Sequence, residues 1–440
     1  MEFAPAPIAS SLAARYRAEG LTSDVSFPVL MRRNADMLGA RVAVIEGEAE
    51  RTWAELIDAA ARFGGFLHAK GVGPGDVVVW QLPNWWETLV VAYGIWAAGA
   101  ISSPVVPIYR EYELGQVVAA VKPAAVVASV DTGAPGAVDR VAIMAAACEQ
   151  AGVDPVVRVA VRGSAPGWVS FDDTVHASPY LAPALDVDAP ALVGWTSGTT
   201  SGAKGVVHST SGLLSLPARS TWQNGVTWTD RSYMPAPVAH ATGLLSAIAV
   251  PLYSGSSTVL SPGWDAERAV ADILMHGVTT TSGAAVFMRE TLSALEALGQ
   301  DRMPLAAGYP CGGSTIPVEL AERCDDAGMQ PARAWGMTEC PGVTSSAPRL
   351  HGRDLRTATD GLVGRGCELR LVGDDGCEVS PGTDGEAWVR GPQRLLGYVD
   401  AHRRRVRRGR LVPHRRRRAG PRGRCVHDDR AGQGDHQSRR

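Results

Sequence analysis

A short stretch rich in hydroxyl side chains and glycine, residues 195–207 (W-T-S-G-T-T-S-G-A-K-G-V-V), constrains the fold of this 440-residue chain most strongly. Apolar residues on both sides predict a strand at 191–195 that enters the stretch and a strand at 206–207 that leaves it. Glycine lets backbone N–H groups converge on an anion, because it has no Cβ. Further donors come from Thr196, Ser197, Thr199, Thr200, Ser201 and the charged Lys204, with Gly198 and Gly202 in the turn. This composition is suited to holding a polyphosphate.

Two other interpretations of the stretch compete with a phosphate site. A loop of serine, threonine and glycine can be a flexible connector and nothing more. A Walker-type loop requires lysine directly after the last glycine, followed by serine or threonine. Here Ala203 follows Gly202, and Gly205 follows Lys204, so the Walker pattern is not met.

The region before the stretch alternates between strand and helix patterns. Residues 42–45, 76–80 and 101–105 predict strands, and 85–98 predicts a helix. Thr52 and Glu55 form a capping box that opens another helix, which runs to about Lys70. Repeated strand–helix units predict an α/β fold with a parallel sheet covered by helices. The aromatic residues of 85–98 are predicted to pack in the core and not to form a ligand surface.

Four later motifs occur in a fixed order after the loop: M-P-A-P-V-A-H-A-T-G (234–243), Y-P-C-G-G-S-T-I-P (309–317), A-W-G-M-T-E-C (334–340) and D-G-E-A-W-V-R-G-P (384–392). Each alone could be an ordinary turn or a solvated helix start. Together with the loop they resemble the adenylate-forming superfamily of acyl-CoA synthetases, adenylation domains and luciferases. The resemblance covers about residues 40–400. It implies that residues 1–400 form the large N-terminal domain of these enzymes, with two helix-flanked β-sheets and a small β subdomain at about 355–400.

The resemblance also implies a reaction and its ligands. ATP and Mg²⁺ would activate a carboxylic acid to an acyl-AMP, and CoA would then take the acyl group. The N-terminal stretch Q-L-P-N-W-W-E is similar to that of medium-chain and cyclic acyl-CoA ligases, which implies a medium-chain or alicyclic acid. Two alternatives stay open: an enzyme that loads a carrier protein, and a nucleotide-binding remnant without catalysis.

The resemblance assigns roles to particular residues. Catalytic roles fall to Lys204, His240, Thr338 and Glu339, and Glu339 would also bind Mg²⁺, which prefers few carboxylates. His240 would line the acyl pocket with the small residues Gly283 and Ala284. ATP would contact Thr196, Ser197, Gly198, Thr199, Thr200, Ser201, Gly202, Lys204, Gly312, Gly313, Ser314, Trp335, Gly336, Met337 and Thr338. Trp335 would offer its ring to adenine, and Thr338 its hydroxyl to the α-phosphate.

The last 40 residues differ in composition from the rest of the chain. Residues 401–440 carry 15 Arg and 3 Asp, although the whole chain has a net charge of only −2. Such a segment could be a disordered basic tail or a nucleic-acid-binding arm. The family's W-F-R-T-G-D motif, its hinge and its C-terminal catalytic lysine are absent from 401–440. The residues from His402 onward can be back-translated with GC-rich codons. When these codons are read one base later, they encode T-D-A-G-F-D-E-D-G-W-F-R-T-G-D, which contains the missing W-F-R-T-G-D motif.

We therefore interpret 401–440 as an out-of-frame, disordered tail that replaces the C-terminal domain, and we expect no nucleic-acid partner. The chain as written is predicted to form little or no acyl-CoA. Resequencing of the gene across this segment tests the frameshift. An intact coding sequence without an inserted base near Ala401–His402 would contradict it. Acyl-CoA formation by the purified chain would contradict the predicted loss of activity.

The remaining sequence features concern location. The N-terminus lacks the features of a signal peptide, and the most apolar stretch, 89–100, is too short to span a bilayer. Seven Cys occur without C-x-x-C pairs, which favours reduced thiols. We expect a cytoplasmic protein without membrane contact. The oligomeric state is left open by the sequence.

Overall fold

The computed structural model describes residues 3–5, 9–130, 138–196, 203–373, 375–380, 382–399, 412–419 and 425–426. Strands and helices alternate over much of this range, as the sequence pattern predicts. The strands, numbered in chain order, are β1 Phe3–Pro5, β2 Val42–Glu46, β3 Ala49–Thr52, β4 Val77–Gln81, β5 Ile101–Pro104, β6 Ala125–Ser129, β7 Val157–Val161, β8 Val169–Ser170, β9 Pro190–Thr196, β10 Lys204–Ser209, β11 Arg231–Met234, β12 Ser257–Leu260, β13 Thr280–Thr281, β14 Tyr309–Cys311, β15 Pro331–Met337, β16 Cys340–Ser345, β17 Leu362–Val363, β18 Glu368–Val372, β19 Asp384–Arg390, β20 Gly397–Val399, β21 Val412–Ala419 and β22 Cys425–Val426.

The helices lie between these strands and after the short N-terminal one. They are α1 Ser10–Ala18, α2 Phe27–Leu38, α3 Trp53–Ala69, α4 Trp86–Ala97, α5 Glu111–Val121, α6 Arg140–Ala151, α7 Phe171–Thr174, α8 Thr210–Asn224, α9 Ala241–Gly243, α10 Val250–Ser254, α11 Ala266–Met275, α12 Ala285–Ala297, α13 Val318–Asp326 and α14 Arg353–Ala358. A π-helical segment, Leu244–Ala249, joins α9 to α10.

Two large sheets form the main body. The first has the strand order β1-β20-β10-β9-β5-β4-β6-β7-β8, in which β9 to β8 run parallel while β10 is antiparallel to both β9 and β20. The second has the order β13-β11-β12-β2-β3, parallel except for the edge strand β3. The predicted α/β architecture with parallel strands is therefore confirmed.

Helices α3 and α4 share one hydrophobic cluster with strands of both large sheets. The capping box predicted at the start of α3 is present: Glu55 N donates to Thr52 Oγ1 (3.3 Å), and Thr52 N donates to Glu55 Oε2 (2.7 Å). In α4 and just before it, Trp85, Tyr93 and Trp96 are buried, and Trp96 stacks on Phe27 with 3.8 Å between ring centroids. The prediction that these aromatic residues pack in the core is confirmed.

Two smaller sheets complete the described structure. In the third sheet β14 pairs in parallel with β15, and β15, β16 and β17 are antiparallel. The fourth contains β18, β19, β21 and β22. The segment 355–400, predicted as a small β subdomain, thus contributes β17 to the third sheet, β18 and β19 to the fourth, and β20 to the first. Of the predicted tail 401–440, the structure describes only β21 and β22.

Candidate active site

The glycine-rich stretch of the sequence connects two neighbouring strands of the first sheet. Thr196, the last residue of β9, is paired in register with Lys204, the first residue of β10. The predicted phosphate-binding residues between them, Ser197, Gly198, Thr199, Thr200, Ser201 and Gly202, lie outside the described residues. The structure therefore locates the two ends of the predicted loop opposite each other, where the neighbouring strands β9 and β10 of the first sheet meet the loop.

The motif A-W-G-M-T-E-C forms a tight hairpin in the third sheet. Met337 of β15 pairs with Cys340 of β16, so Thr338 and Glu339 are the two residues of the turn. Gly336 lies so close to the backbone N of Gly342 in the facing strand that a Cβ would overlap it. Glycine at 336 therefore permits the close approach that brings Thr338 and Glu339 to the tip.

This turn is held against the first sheet by three hydrogen bonds. Tyr398 of β20 donates its hydroxyl to Glu339 Oε1 (2.7 Å), and Leu395 N donates to the carbonyl oxygen of Glu339 (2.8 Å). His208 of β10 bonds through Nε2 to the carbonyl oxygen of Thr338 (2.7 Å). Since β10 begins at Lys204, these contacts place the Thr338–Glu339 turn on the strand that leaves the predicted phosphate loop.

His208 is almost completely buried in the protein. Desolvation by burial lowers the pKa of His208 to about 4, although its bond to the Thr338 carbonyl and the nearby Glu339 act in the opposite direction. The ring is therefore neutral at pH 7. A carbonyl oxygen can only accept a hydrogen bond, so Nε2 carries the proton and Nδ1 has a free lone pair.

The predicted glycine-rich turn and pocket wall lie side by side. Gly312 N donates to the carbonyl oxygen of Gly283 (3.3 Å), and Ala285 N donates to Ser314 Oγ (3.3 Å). A Cβ at Gly312 would lie 2.7 Å from the carbonyl oxygen of Ala334, the residue before Trp335. The structure thus brings together three predicted segments, 283–285, 312–314 and 334–339, that are far apart in sequence.

Trp335, the residue expected to face adenine, is buried with 5% of its surface exposed. Its side chain belongs to a hydrophobic cluster with Val206 of β10 and Val343 of β16, and Met337 packs at the border of that cluster. The ring therefore also serves to join the third sheet to the first. Its predicted role in binding adenine stays a prediction.

His240 lies at the N-terminus of α9, where its Nδ1 accepts a hydrogen bond from Thr242 N (3.4 Å). The side chain is exposed to solvent, yet desolvation by the surrounding protein lowers its pKa. The loop before His240 is held by Asn84, which donates to the carbonyl oxygen of Ala236 (2.9 Å) and accepts from Val238 N (2.8 Å). Asn84 therefore determines the path of the chain into His240.

A narrow cleft lies between β9, β10, the Thr338–Glu339 turn and the helices that follow His240. Its walls are mainly apolar, and the polar side chains among them are His208 and Thr338. The lining residues are Pro104, Leu192, Gly194, Trp195, His208, Leu213, Ala239, Ala241, Leu244, Leu245, Thr338 and Pro341. The π-helical segment supplies Leu244 and Leu245, and π-helical turns are frequent at functional sites. The cleft is a candidate pocket for an apolar group.

Glu339 is the residue of this site that could bind a divalent cation. Among the described residues, no group of three or more His, Cys, Asp or Glu forms a protein-only metal site. A single partly exposed carboxylate, on a turn that docks on the strand after the predicted phosphate loop, instead fits Mg²⁺, which commonly takes one or two carboxylates together with phosphate oxygens and water. The residues present are thus compatible with the predicted Mg²⁺.

Three residues of the site were not predicted from the sequence: Asn84, His208 and Tyr398. Asn84 belongs to Q-L-P-N-W-W-E, a motif noted only for its resemblance to other proteins. His208 lies four residues after Lys204 in β10. Because successive side chains of a strand point to opposite faces, this even spacing could have placed both side chains on one face of β10. Tyr398 lies in L-G-Y-V-D (396–400), which also belongs to the resemblance, but its contact with Glu339 was not predictable because it depends on how β20 joins the first sheet.

Comparisons with known proteins identify the family of the chain. The family model described as AMP-binding enzyme matches residues 31–399. The medium-chain fatty-acid–CoA ligase of Escherichia coli is 29% identical over 391 residues, which are 88% of this chain and 68% of that protein. The salicyl-AMP ligase / salicyl-S-ArCP synthetase of Mycobacterium tuberculosis is 30% identical over an alignment of length 428, which covers 90% of this chain and 71% of that protein.

Solved structures also resemble the chain. The apo structure of MbtA from Mycobacterium smegmatis has a TM-score of 0.78 and 26% identity, covering 91% of this chain and 72% of that one. The anthranilate CoA ligase AuaEII in complex with anthranoyl-AMP has a TM-score of 0.83 over 93% of this chain and 79% of that one, and at 20% identity it supports the fold alone. In the part of the chain that the structure describes, no helix is long and apolar enough to cross a membrane.

Proposed function

The chain belongs to the AMP-binding enzyme family, and from this premise we propose that its reaction is the activation of a carboxylic acid with ATP and the transfer of the acyl group to CoA, with little or no complete turnover by the 440-residue chain itself. The observation that carries the proposal is the docking of the Thr338–Glu339 turn on β20 and on β10, the strand that follows the predicted phosphate loop. A hydroxyl, a carboxylate and the lysine of β10 would then surround one polyphosphate. The acid would be medium-chain or alicyclic, as the resemblance of the N-terminal stretch implies, and the walls of the narrow cleft are mainly apolar.

The proposed reaction has two displacement steps. In the first, an oxygen of the carboxylate bonds to the α-phosphorus of ATP, and the bond from that phosphorus to the pyrophosphate oxygen breaks. In the second, the sulfur of CoA bonds to the acyl carbon, the bond to the AMP oxygen breaks, and the thiol proton is released. The protein would accelerate the first step mainly by positioning the two substrates and stabilising the charge that builds up on the phosphates.

The described residues would share this work. The Thr338 hydroxyl would donate to an α-phosphate oxygen, and Lys204 would offset the charge of the outer phosphates. Desolvation lowers the pKa of His240, and its Nδ1 accepts a hydrogen bond from Thr242 N, so the neutral ring carries its proton on Nε2, which would donate to the carboxylate. Glu339 would hold Mg²⁺, which when bound withdraws charge from the phosphate oxygens. Tyr398 would orient the Glu339 carboxylate through its hydroxyl.

The proposed activity is tested by incubating the purified chain with ATP, Mg²⁺, CoA and a panel of medium-chain and alicyclic acids. We expect the chain to bind an acyl sulfamoyl adenosine, and mass spectrometry should detect at most small amounts of acyl-AMP and little or no acyl-CoA. Substantial acyl-CoA would support the ligase function and contradict the predicted loss of activity. Acyl-AMP alone would support adenylation without thioester formation. If the chain forms neither product and also fails to bind a non-hydrolysable acyl sulfamoyl adenosine, the proposal is wrong.

Glu339→Gln is expected to remove the effect of Mg²⁺ on ATP binding, because the amide is a neutral and weaker ligand for the cation. Isothermal titration should show that Mg²⁺ raises the affinity of the wild-type chain for ATP, and that this gain falls by about tenfold or more in the variant. Glu319→Gln, which changes an exposed residue in the first turn of α13, is the matched control and should behave as the wild type. An undiminished Mg²⁺ effect in Glu339→Gln would contradict the proposed metal role.

A second candidate acceptor is the pantetheine thiol of a carrier protein. It is favoured by the 30% identity to the salicyl-AMP ligase / salicyl-S-ArCP synthetase over 90% of this chain. The two acceptors are distinguished by offering CoA and a pantetheine-bearing carrier protein side by side to the chain preloaded with acyl-AMP. The acceptor that receives the acyl group in the mass spectrum identifies the class.

A further inference from the structure

His208 has a buried nitrogen without a hydrogen-bond partner. Its Nε2 is bonded to the carbonyl oxygen of Thr338, but Nδ1 has no partner in the part of the chain that the structure describes. The residue is only 3% exposed. Buried polar atoms are nearly always satisfied, so an orphan acceptor at this depth needs an explanation.

The surroundings of His208 indicate what kind of group is missing. The residue lines the narrow cleft beside Leu192, Leu213 and Leu244, which are apolar and buried. With Nε2 as donor to Thr338, the neutral ring offers one acceptor and no further donor at Nδ1. An apolar ligand without a polar group would leave Nδ1 unsatisfied, at a cost in affinity, whereas a ligand with one O–H would not.

We propose that Nδ1 of His208 accepts a hydrogen bond from a hydroxyl group of the acyl substrate, so that the cleft selects a largely apolar acid that carries one hydroxyl. This inference rests on the proposed function, because it takes the cleft as the acyl pocket. His208 is then a specificity-determining residue. Its Nε2 holds the Thr338–Glu339 turn through a hydrogen bond, and its Nδ1 selects acids with a hydroxyl group that can donate to it.

Binding of stable acyl-adenylate analogues tests the proposal without requiring turnover. The probes are cyclohexanecarbonyl sulfamoyl adenosine and its derivatives with one hydroxyl on the second, third or fourth ring carbon, titrated calorimetrically into the full chain. We expect at least one hydroxylated probe to bind about three- to tenfold more tightly than the parent, the range of one net hydrogen bond. Equal or weaker binding of all hydroxylated probes would overturn the proposal, since water would then satisfy Nδ1.

Two variants separate the two sides of the ring. His208→Gln places an amide N–H near the position of Nε2, so it can still donate to Thr338, but it has no atom equivalent to Nδ1. Its affinities for the hydroxylated and parent probes should become equal, so that the preference for the hydroxyl is lost whatever the affinity for the parent probe. His208→Asn should instead weaken both probes, because it loses the bond to the turn. A hydroxyl preference that persists in His208→Gln would overturn the proposal.

The outcome for the proposed function can be distinguished from the outcome for His208. If the parent probe binds and the hydroxyl has no effect, the proposed function stands and only the role of His208 is wrong. If the chain binds neither the probes nor AMP, the proposed function is wrong, and the inference that depends on it is wrong as well.

Discussion

At the scale of single residues, the site depends on side chains that serve structure and chemistry together. Trp335 joins two sheets through Val206 while it is expected to face adenine. Glu339 accepts the Tyr398 hydroxyl while it is expected to hold Mg²⁺. Such double roles explain why sequence motifs identify these residues, whereas their buried partners, such as His208, have no motif of their own.

The buried ring of His208 should make stability depend on pH. Its pKa is about 4 in the folded chain and near 6.5 when unfolded, so the unfolded state binds the proton first as the pH falls. The free energy of unfolding should therefore fall by at most about 3 kcal/mol as the pH decreases from 6.5 to 4. Below pH 4 this contribution should no longer change. Urea unfolding at several pH values measures this fall.

His208→Gln is the reference for that measurement, because it keeps the neighbouring carboxylates and His240 but cannot titrate at position 208. The difference in free energy of unfolding between wild type and variant should shrink as the pH decreases through this window. Parallel stability curves for the two proteins would show that His208 does not titrate in the way described.

At the scale of elements, β10 organises the site. It follows the predicted phosphate loop, pairs with β9 and β20, and contacts the Thr338–Glu339 turn through His208. The loop before α9 is positioned separately, by Asn84 at the entrance to α4. The loop that carries His240 and the Thr338–Glu339 turn are thus positioned by contacts with different elements.

Asn84→Ala should destabilise the protein and loosen the loop that carries His240. The change removes the acceptor of Val238 N and the donor to Ala236, all in a buried region, for an expected loss of about 2–4 kcal/mol. Chemical denaturation measures the loss, and Asn224→Ala, near the end of α8, is the control that should cost less than about 1 kcal/mol. Affinity for an acyl sulfamoyl adenosine should fall more than affinity for AMP. An equal fall for both ligands would contradict the separate positioning of the loop.

At the scale of the whole molecule, the two large sheets are connected by polar contacts as well as by the shared core. Arg162, just after β7 of the first sheet, bonds to Glu87 in α4 with two hydrogen bonds (2.9 and 2.8 Å). The same guanidinium bonds to Glu46, the last residue of β2 in the second sheet (2.7 Å), and lies over the ring of Trp85. One side chain therefore links the two sheets and the helix between them.

Arg162→Ala should cost about 2–3 kcal/mol of folding stability, because it leaves two partly buried carboxylates facing each other without a cation. Arg158→Ala is the matched control: this arginine lies in β7 itself, and its ion pair with the exposed Asp154 should contribute less than about 1 kcal/mol. Thermal and urea unfolding of both variants measure the difference. Equal losses would mean that the link between the sheets contributes nothing beyond an ordinary surface pair.

The sequence by itself determined the strand–helix alternation, the capping box of α3, the burial of the α4 aromatic residues and the order of the motifs. These follow from local periodicity and from side-chain chemistry at fixed spacing, which neighbouring residues carry. The tertiary structure alone decided that Tyr398 meets Glu339, that His208 is buried beneath Thr338, that Asn84 holds the loop of His240, and that the segment 355–400 contributes to three sheets. The reason is that each of these contacts joins residues far apart in the chain, and strand pairing and burial between such residues leave no periodic pattern in the sequence.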